Sequence, residues 1–119
     1  MGVWVAHFLF GQEILQLASK QRGELRLVVS EFLATFGLIL VIQLSGRRKS
    51  DAAPAAVALY IVAAYWCTSS TSFANPAVTI ARSLTDTFSG ILWTGAPAFL
   101  AAQFLGAAAS LWASAKLST

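Results

Sequence analysis

The stretch Phe73-Ala74-Asn75-Pro76-Ala77-Val78-Thr79-Ile80 decides how this chain of 119 residues is read. Asn followed by Pro marks a helix start. The Asn side chain caps the first free amides, and Pro suits the first helical position, where its missing N–H costs nothing. Just before it, Thr68-Ser69-Ser70-Thr71-Ser72 is polar, and from Ala52 to Ala81 no residue is charged. A polar, irregular run between apolar segments is unsuited to lipid contact and needs protein or water around it. A helix that begins at such a place aims its positive end at whatever passes.

The composition supports a membrane setting: 57% of residues are hydrophobic, 11% are charged, and the mean hydropathy is +0.69. The long charge-free runs exceed what the core helix of a soluble domain uses. The net charge of +3 comes from two basic clusters, Lys20-Gln21-Arg22-Gly23-Glu24-Leu25-Arg26 and Arg47-Arg48-Lys49. Beside apolar runs, such clusters belong at lipid headgroups and not on nucleic acid. The single cysteine, Cys67, cannot form an intrachain disulfide and reads as a small buried hydrophobe. His7 has no companions for a metal or acid–base site and reads as a packing residue. The sequence offers no nucleophile with a paired base, no metal-ligand cluster and no phosphate loop, so neither an enzyme nor a cofactor is expected. Residues 1–11 lack a basic start and a small-residue cleavage site, which argues against a signal peptide.

Working outward, Leu27 to Leu44 carries a single charge, Glu31, and at 1.5 Å per residue covers about 27 Å, close to the hydrocarbon thickness. It is predicted to be a transmembrane helix. A basic loop follows, in which Ser50 or Asp51 can cap the next helix, with Pro54 in its first turn. A second span is predicted from Ala52 to about Cys67, then the polar run, then a half-helix of about ten residues opened by Pro76, too short to cross a bilayer. Gly90, Gly95 and Pro97 interrupt the chain before a last span to about Ala115. Residues 2–17 add a partial apolar segment broken by His7, Gln12 and Glu13. The predicted fold is all-α and membrane-embedded, with about three full spans, a partial first helix and one re-entrant half-helix.

In this setting the residues resemble the aquaporin family, the major intrinsic proteins, in its C-terminal half. "SEFLATFGL" with Glu31 and Thr35 looks like the family's fourth helix (25–45), residues 1–17 like the end of its third, and 52–67 like its fifth. "TSFANPAVTIARSLTDTFSGI" looks like the second pore loop (68–90), and "AAQFLGA" like the start of the sixth helix (96–116). The resemblance implies one half of an inverted-repeat helical bundle. It departs from the usual pattern at Val78, where most members carry an arginine that narrows the outer constriction. Loss of that cation implies a wider opening suited to neutral solutes larger than water, as in bacterial members linked to trivalent arsenic and related metalloid hydroxides.

Candidate pore-lining residues are Asn75, Pro76, Ala77 and Val78, with Ser72 and Phe73 as wall candidates and Tyr65 or Ala64 as further ones. Asn75 would present its N–H₂ to the oxygen of a solute. Glu31 is costly inside a membrane unless it accepts hydrogen bonds, and the resemblance implies that it holds the pore-loop backbone, with Thr35 alongside. Arg82 reads as pointing toward the interface or toward an acidic partner such as Asp86 at i+4; the alternative is that it faces the same way as Val78 and partly replaces the missing guanidinium. Ala102, Gly106, Ser110 and Ser114 recur every four residues, a small-residue stripe for close helix packing. Trp4, Trp66, Trp93 and Trp112 read as interface anchors.

The two basic clusters flank the same span and nearly cancel, so charge alone does not orient the chain. The resemblance places the Arg47 loop and the Lys116 end in the cytoplasm, with the Asn75 loop entering from outside, in a multi-pass protein of the inner (plasma) membrane. The family's first helices and first Asn-Pro-Ala loop are not in this sequence, so a lone copy would leave polar backbone facing lipid. Expected partners are the bilayer, a small neutral solute, and a missing N-terminal half or another aquaporin-like chain. An antiparallel second copy is the less favoured arrangement; a homotetramer is what the family implies. The predicted function is passive passage of water, glycerol-like polyols or metalloid hydroxides. The alternative is a non-conducting channel fragment or an interaction subunit.

Overall fold

The computed structural model describes residues 1–48 and 50–117; Lys49 of the second basic cluster lies outside them. In chain order the helices are α1 (Gly2–Leu9), α2 (Leu25–Arg48), α3 (Ala53–Cys67), α4 (Pro76–Arg82) and α5 (Ala96–Lys116), with a 3-10 turn at Ser50–Ala52 leading into α3. No strand occurs among the described residues.

Two helices are long and apolar enough to cross a bilayer. α2, with 24 residues, reaches about 36 Å, and α5, with 21, about 31 Å. α3 is apolar but has only 15 residues, about 22 Å, so the predicted third full crossing is a short one. Its N-cap is Ala52, which has no side chain able to cap, and Pro54 stands in its first turn as expected. Pro at the helix start and the fixed turn before it suffice.

The first helix also differs from expectation. It stops at Leu9 instead of continuing toward Leu17, because the chain turns at Gly11, whose φ of +63° is open to glycine at little cost. Residues 12–24 then run as an irregular strap against the segments that flank α4. Ala18 N–H donates to the Ser83 carbonyl, and Leu92 N–H to the Lys20 carbonyl.

α2 and α5 make the most extensive helix contact. They run parallel: Glu31 meets Gln103 near their starts, and Arg47 Nη1 donates to the Ser114 carbonyl, 2.7 Å away, near their ends. The stripe Ala102, Gly106, Ser110 and Ser114 is buried in this contact. At Gly106 a Cβ would sit 2.5 Å from the Phe32 carbonyl, so only glycine permits the approach. α3 leans on α2 at Gly37, where Tyr60 packs and its hydroxyl donates to the Ala34 carbonyl at 2.8 Å.

The outer surface is apolar, with Leu59, Trp66, Phe104 and Trp112 all exposed. A chain with such helices and such a surface is built for lipid. Cys67, expected to be buried, is exposed at the end of α3, where the short helix has no neighbour to cover it.

Candidate functional site

The half-helix α4 begins where Asn-Pro puts it. Asn75 is in extended conformation at the N-cap, and its Oδ1 accepts the N–H groups of Ala77 (2.8 Å) and Val78 (3.3 Å). Its carbonyl accepts both the N–H (3.0 Å) and the hydroxyl (3.1 Å) of Thr79. With the side-chain oxygen committed to the cap, the Asn75 N–H₂ has no partner among the described residues. Seven residues long rather than about ten, α4 closes with Arg82 in its last turn.

The loop entering the cap is unusual backbone. Thr71, Ser72 and Ala74 have φ of 62°, 50° and 46°, a left-handed stretch that costs non-glycine residues on the order of 1–2 kcal/mol each. Such a path persists only if its surroundings over-determine it, and they do. Glu31, fully buried, accepts the Phe73 N–H at 3.2 Å on Oε2 and the Ala74 N–H on Oε1. Gln103 Nε2 bridges Glu31 Oε1 (3.2 Å) and Thr79 Oγ1 (2.8 Å), tying α2 and α5 to the half-helix. Ser30 Oγ accepts the Ser70 N–H at 3.3 Å, and Ser70 Oγ accepts the Ser72 N–H at 3.2 Å.

Arg22 completes this rear brace. Expected at lipid headgroups, it is only 4% exposed. Its guanidinium donates to the carbonyls of Gly90 (2.8 Å), Ser70 (3.1 Å) and Phe88 (2.9 Å) and lies 5.2 Å from the Phe73 ring centre. Burial holds its pKa below the ordinary arginine value, the neighbouring Arg82 charge lowers it further, and Glu31 opposes both.

On the opposite side the loop and α4 face a groove of about 260 Å³, bounded by Leu38 of α2, by Tyr60, Ile61 and Tyr65 of α3, and by Thr71 to Asn75, Val78 and Arg82. Of the sequence-predicted wall residues, Asn75, Val78, Ser72 and Tyr65 lie along it, while Ala64, Pro76 and Ala77 do not. Phe73 borders it but has its ring in the core, edge-on to Phe99 at 5.3 Å and clustered with Ile91. Val78 packs against that same cluster.

Thr35 is near but not joined to the loop: its hydroxyl donates to the Glu31 carbonyl, 3.0 Å away on its own helix, and it packs under Gly106. Arg82 does not reach Asp86, because α4 ends at Arg82 and the i+4 neighbour is no longer on a helix. Asp86 instead accepts the Ser19 N–H (2.9 Å) and hydroxyl (2.7 Å). Arg82 stacks 4.3 Å over the Phe73 ring, with its Nη1 buried and unpartnered. His7 is a buried packing residue that links α1 to the loop, through Ile14 O at 3.0 Å and Thr85 Oγ1 at 2.9 Å.

Gln103, Arg22 and Thr79 are the functional-site residues that sequence reasoning missed. A lone Gln in an apolar helix carried a signal, since a buried carboxamide in a membrane needs a partner. Nothing local marked the other two.

The chain is 46% identical over 110 residues, 92% of its length, to Aquaglyceroporin AqpS of Rhizobium meliloti (strain 1021). It spans about half of that relative, 47%, a share consistent with the C-terminal half. No protein-family profile matches the chain. No solved structure matches it.

Proposed function

The chain belongs to the aquaporin family over the part of that fold it spans, and on this premise we propose that it forms one wall of a membrane pathway for small neutral solutes. The observation that carries the proposal is the division of labour in Asn75. Its oxygen caps α4, and its N–H₂ stands bare on a groove that a polar, braced loop keeps open. Two fixed donors in an apolar-walled groove favour a passing oxygen acceptor. The positive end of α4 behind them disfavours cations, hydronium included.

Val78 leaves the groove without a cation at its position, which supports glycerol-like polyols or metalloid hydroxides over water alone. Such a pathway needs a second wall. We assign that wall to a separately made or covalently joined N-terminal half, or to another aquaporin-like chain, in a multi-pass arrangement in the inner (plasma) membrane and within a tetramer. The second reading, a non-conducting subunit, draws on the same open groove, which by itself encloses nothing.

Liposomes carrying the purified chain, with and without a full-length channel, distinguish the two. Solute-dependent swelling that the chain adds when a channel partner is present to supply the second wall, reduced at least about tenfold by Asn75→Asp, is the result expected of a wall; a carboxylate there has no donor and reverses the local charge. No swelling from the chain alone, together with an Asn75-independent change in the full-length channel's rate, supports the subunit.

A further inference from the structure

The two ends of the α2–α5 pair use their cations differently. At the end where both helices start, the charges are spent inside the fold. Lys20 Nζ donates to the Phe88 carbonyl at 2.9 Å, Arg22 is buried on three carbonyls, and Arg26 Nε pairs with Glu24 at 2.6 Å. In number, Lys20, Arg22, Arg26 and Arg82 are balanced by Glu13, Glu24, Glu31 and Asp86. The chain's whole net charge of +3 therefore belongs to the other end, where Arg47, Arg48, Lys49 and Lys116 stand against one acid, Asp51.

That end is assembled by the fold and not by the basic cluster alone. Because α2 and α5 run parallel, Lys116 in the last turn of α5 joins Arg47 and Arg48 in the last turn of α2, and all three are exposed. Arg47 ties the two helices together through the Ser114 carbonyl, 67 positions away in the chain. The helix dipole accounts for a cation in each last turn. It does not account for the apolar surface beside them: Trp112, one turn before Lys116 on α5, is 69% exposed, and Leu117 is 67% exposed. A soluble anion meets only the charges of such a surface. An anionic phospholipid meets both its charges and its apolar border.

We propose that the joined ends of α2 and α5 form a binding surface for anionic phospholipid, with Arg48 and Lys116 on the headgroup phosphate and Trp112 and Leu117 against the glycerol and upper acyl chains. Arg48 offers a two-pronged fork to phosphate oxygens and Lys116 a point charge. Arg47 adds its charge while holding the two helix ends in register. None of these residues borders the Asn75 groove, so the proposal stands whether or not the chain conducts.

The test is native mass spectrometry of the chain in nonionic detergent, titrated with phosphatidylglycerol or with phosphatidylcholine of the same acyl chains. Phosphatidylglycerol is expected to bind at least about tenfold more tightly, since each cation near a lipid surface contributes several-fold. The double variant Arg48→Gln, Lys116→Gln brings that ratio to within about twofold. The variant Lys20→Gln, Arg26→Gln removes an equal charge from the starting end and leaves the ratio unchanged. Equal affinity for the two lipids in the wild type, or a preference lost only in the Lys20 and Arg26 variant, overturns the proposal. Displacement of the lipid by excess inorganic phosphate marks a simple anion site and overturns the assignment to lipid.

A second measurement needs no variant. Phosphatidylglycerol added to the ¹⁵N-labelled chain in phosphatidylcholine nanodiscs is expected to shift the Arg48 Nε–H and the Trp112 indole N–H signals, but not that of Arg26. Shifts at Arg26 alone, or none at Arg48, overturn the proposal even where the Arg48 and Lys116 variant fails to fold.

Discussion

The rear and the front of the loop that enters α4 both carry polar side chains, and the fold treats them oppositely. At the rear, every backbone N–H between Ser70 and Ala74 is matched: Glu31 takes two, the Ser30 and Ser70 hydroxyls take two more, the Thr68 carbonyl takes the fifth, and Arg22 clamps the Ser70 carbonyl. At the front, the Asn75 N–H₂ and the Arg82 guanidinium have no partner among the described residues. The difference teaches that order and availability are supplied from separate sides. A bare donor is useful only if its backbone cannot collapse to satisfy it, and three left-handed residues would collapse readily without the rear brace.

The largest effect is therefore expected at the rear. Glu31→Gln preserves size but sets an N–H₂ against the Phe73 or Ala74 N–H, a donor facing a donor in a site closed to water. It should cost about 2–4 kcal/mol and release the protection of those two amides in hydrogen exchange, while the α2–α5 contact below Gly106 stays protected. Equal protection at Phe73 and Ala74 in variant and wild type would mean that the loop holds its own shape, and the contrast between the two sides would disappear.

Much of this arrangement was legible in the sequence, and what was legible was local. Asn75-Pro76 fixed the start of α4, Pro97 the start of α5 and the four-residue stripe its packing face, because caps and periodicity act within a few residues. That Glu31 needed a partner followed from the cost of a bare acid in lipid. Which partner did not: Gln103 lies 72 positions away, and only the parallel approach of α2 and α5 brings it near. Arg22 and Arg82 failed for a related reason. Position in sequence placed one at a headgroup and the other on a helix with Asp86. The fold instead folds the strap inward and ends the helix at Arg82.

Thr35 sharpens the comparison from within α2. The family resemblance groups it with Glu31, yet its hydroxyl returns to its own helix. Thr35→Val, nearly isosteric, should cost less than about 1 kcal/mol and leave Phe73 and Ala74 exchange unchanged. A loosening comparable to that of Glu31→Gln would assign Thr35 to the brace after all and extend the rear by one residue.

The smallest effect concerns the strap that carries Arg22 to the rear. Asp86 is fully exposed, and its carboxyl is held below the usual range, first by the Ser19 hydroxyl and then by the Ser19 N–H. A carboxylate with a depressed folded-state pKa adds stability that is present above its unfolded value, about 4, and is lost as pH falls through the lower folded value. Exchange of the Ser19 amide should therefore accelerate only below about pH 4, and Asp86→Asn should remove that step while adding no pH dependence elsewhere. Because Arg22 is also anchored through Gly90, Ser70 and Phe88, the loop amides should stay protected when Ser19 opens. If Phe73 and Ala74 open together with Ser19, the strap and the brace are one cooperative unit. The rear would then be weaker in acid than its buried hydrogen bonds imply.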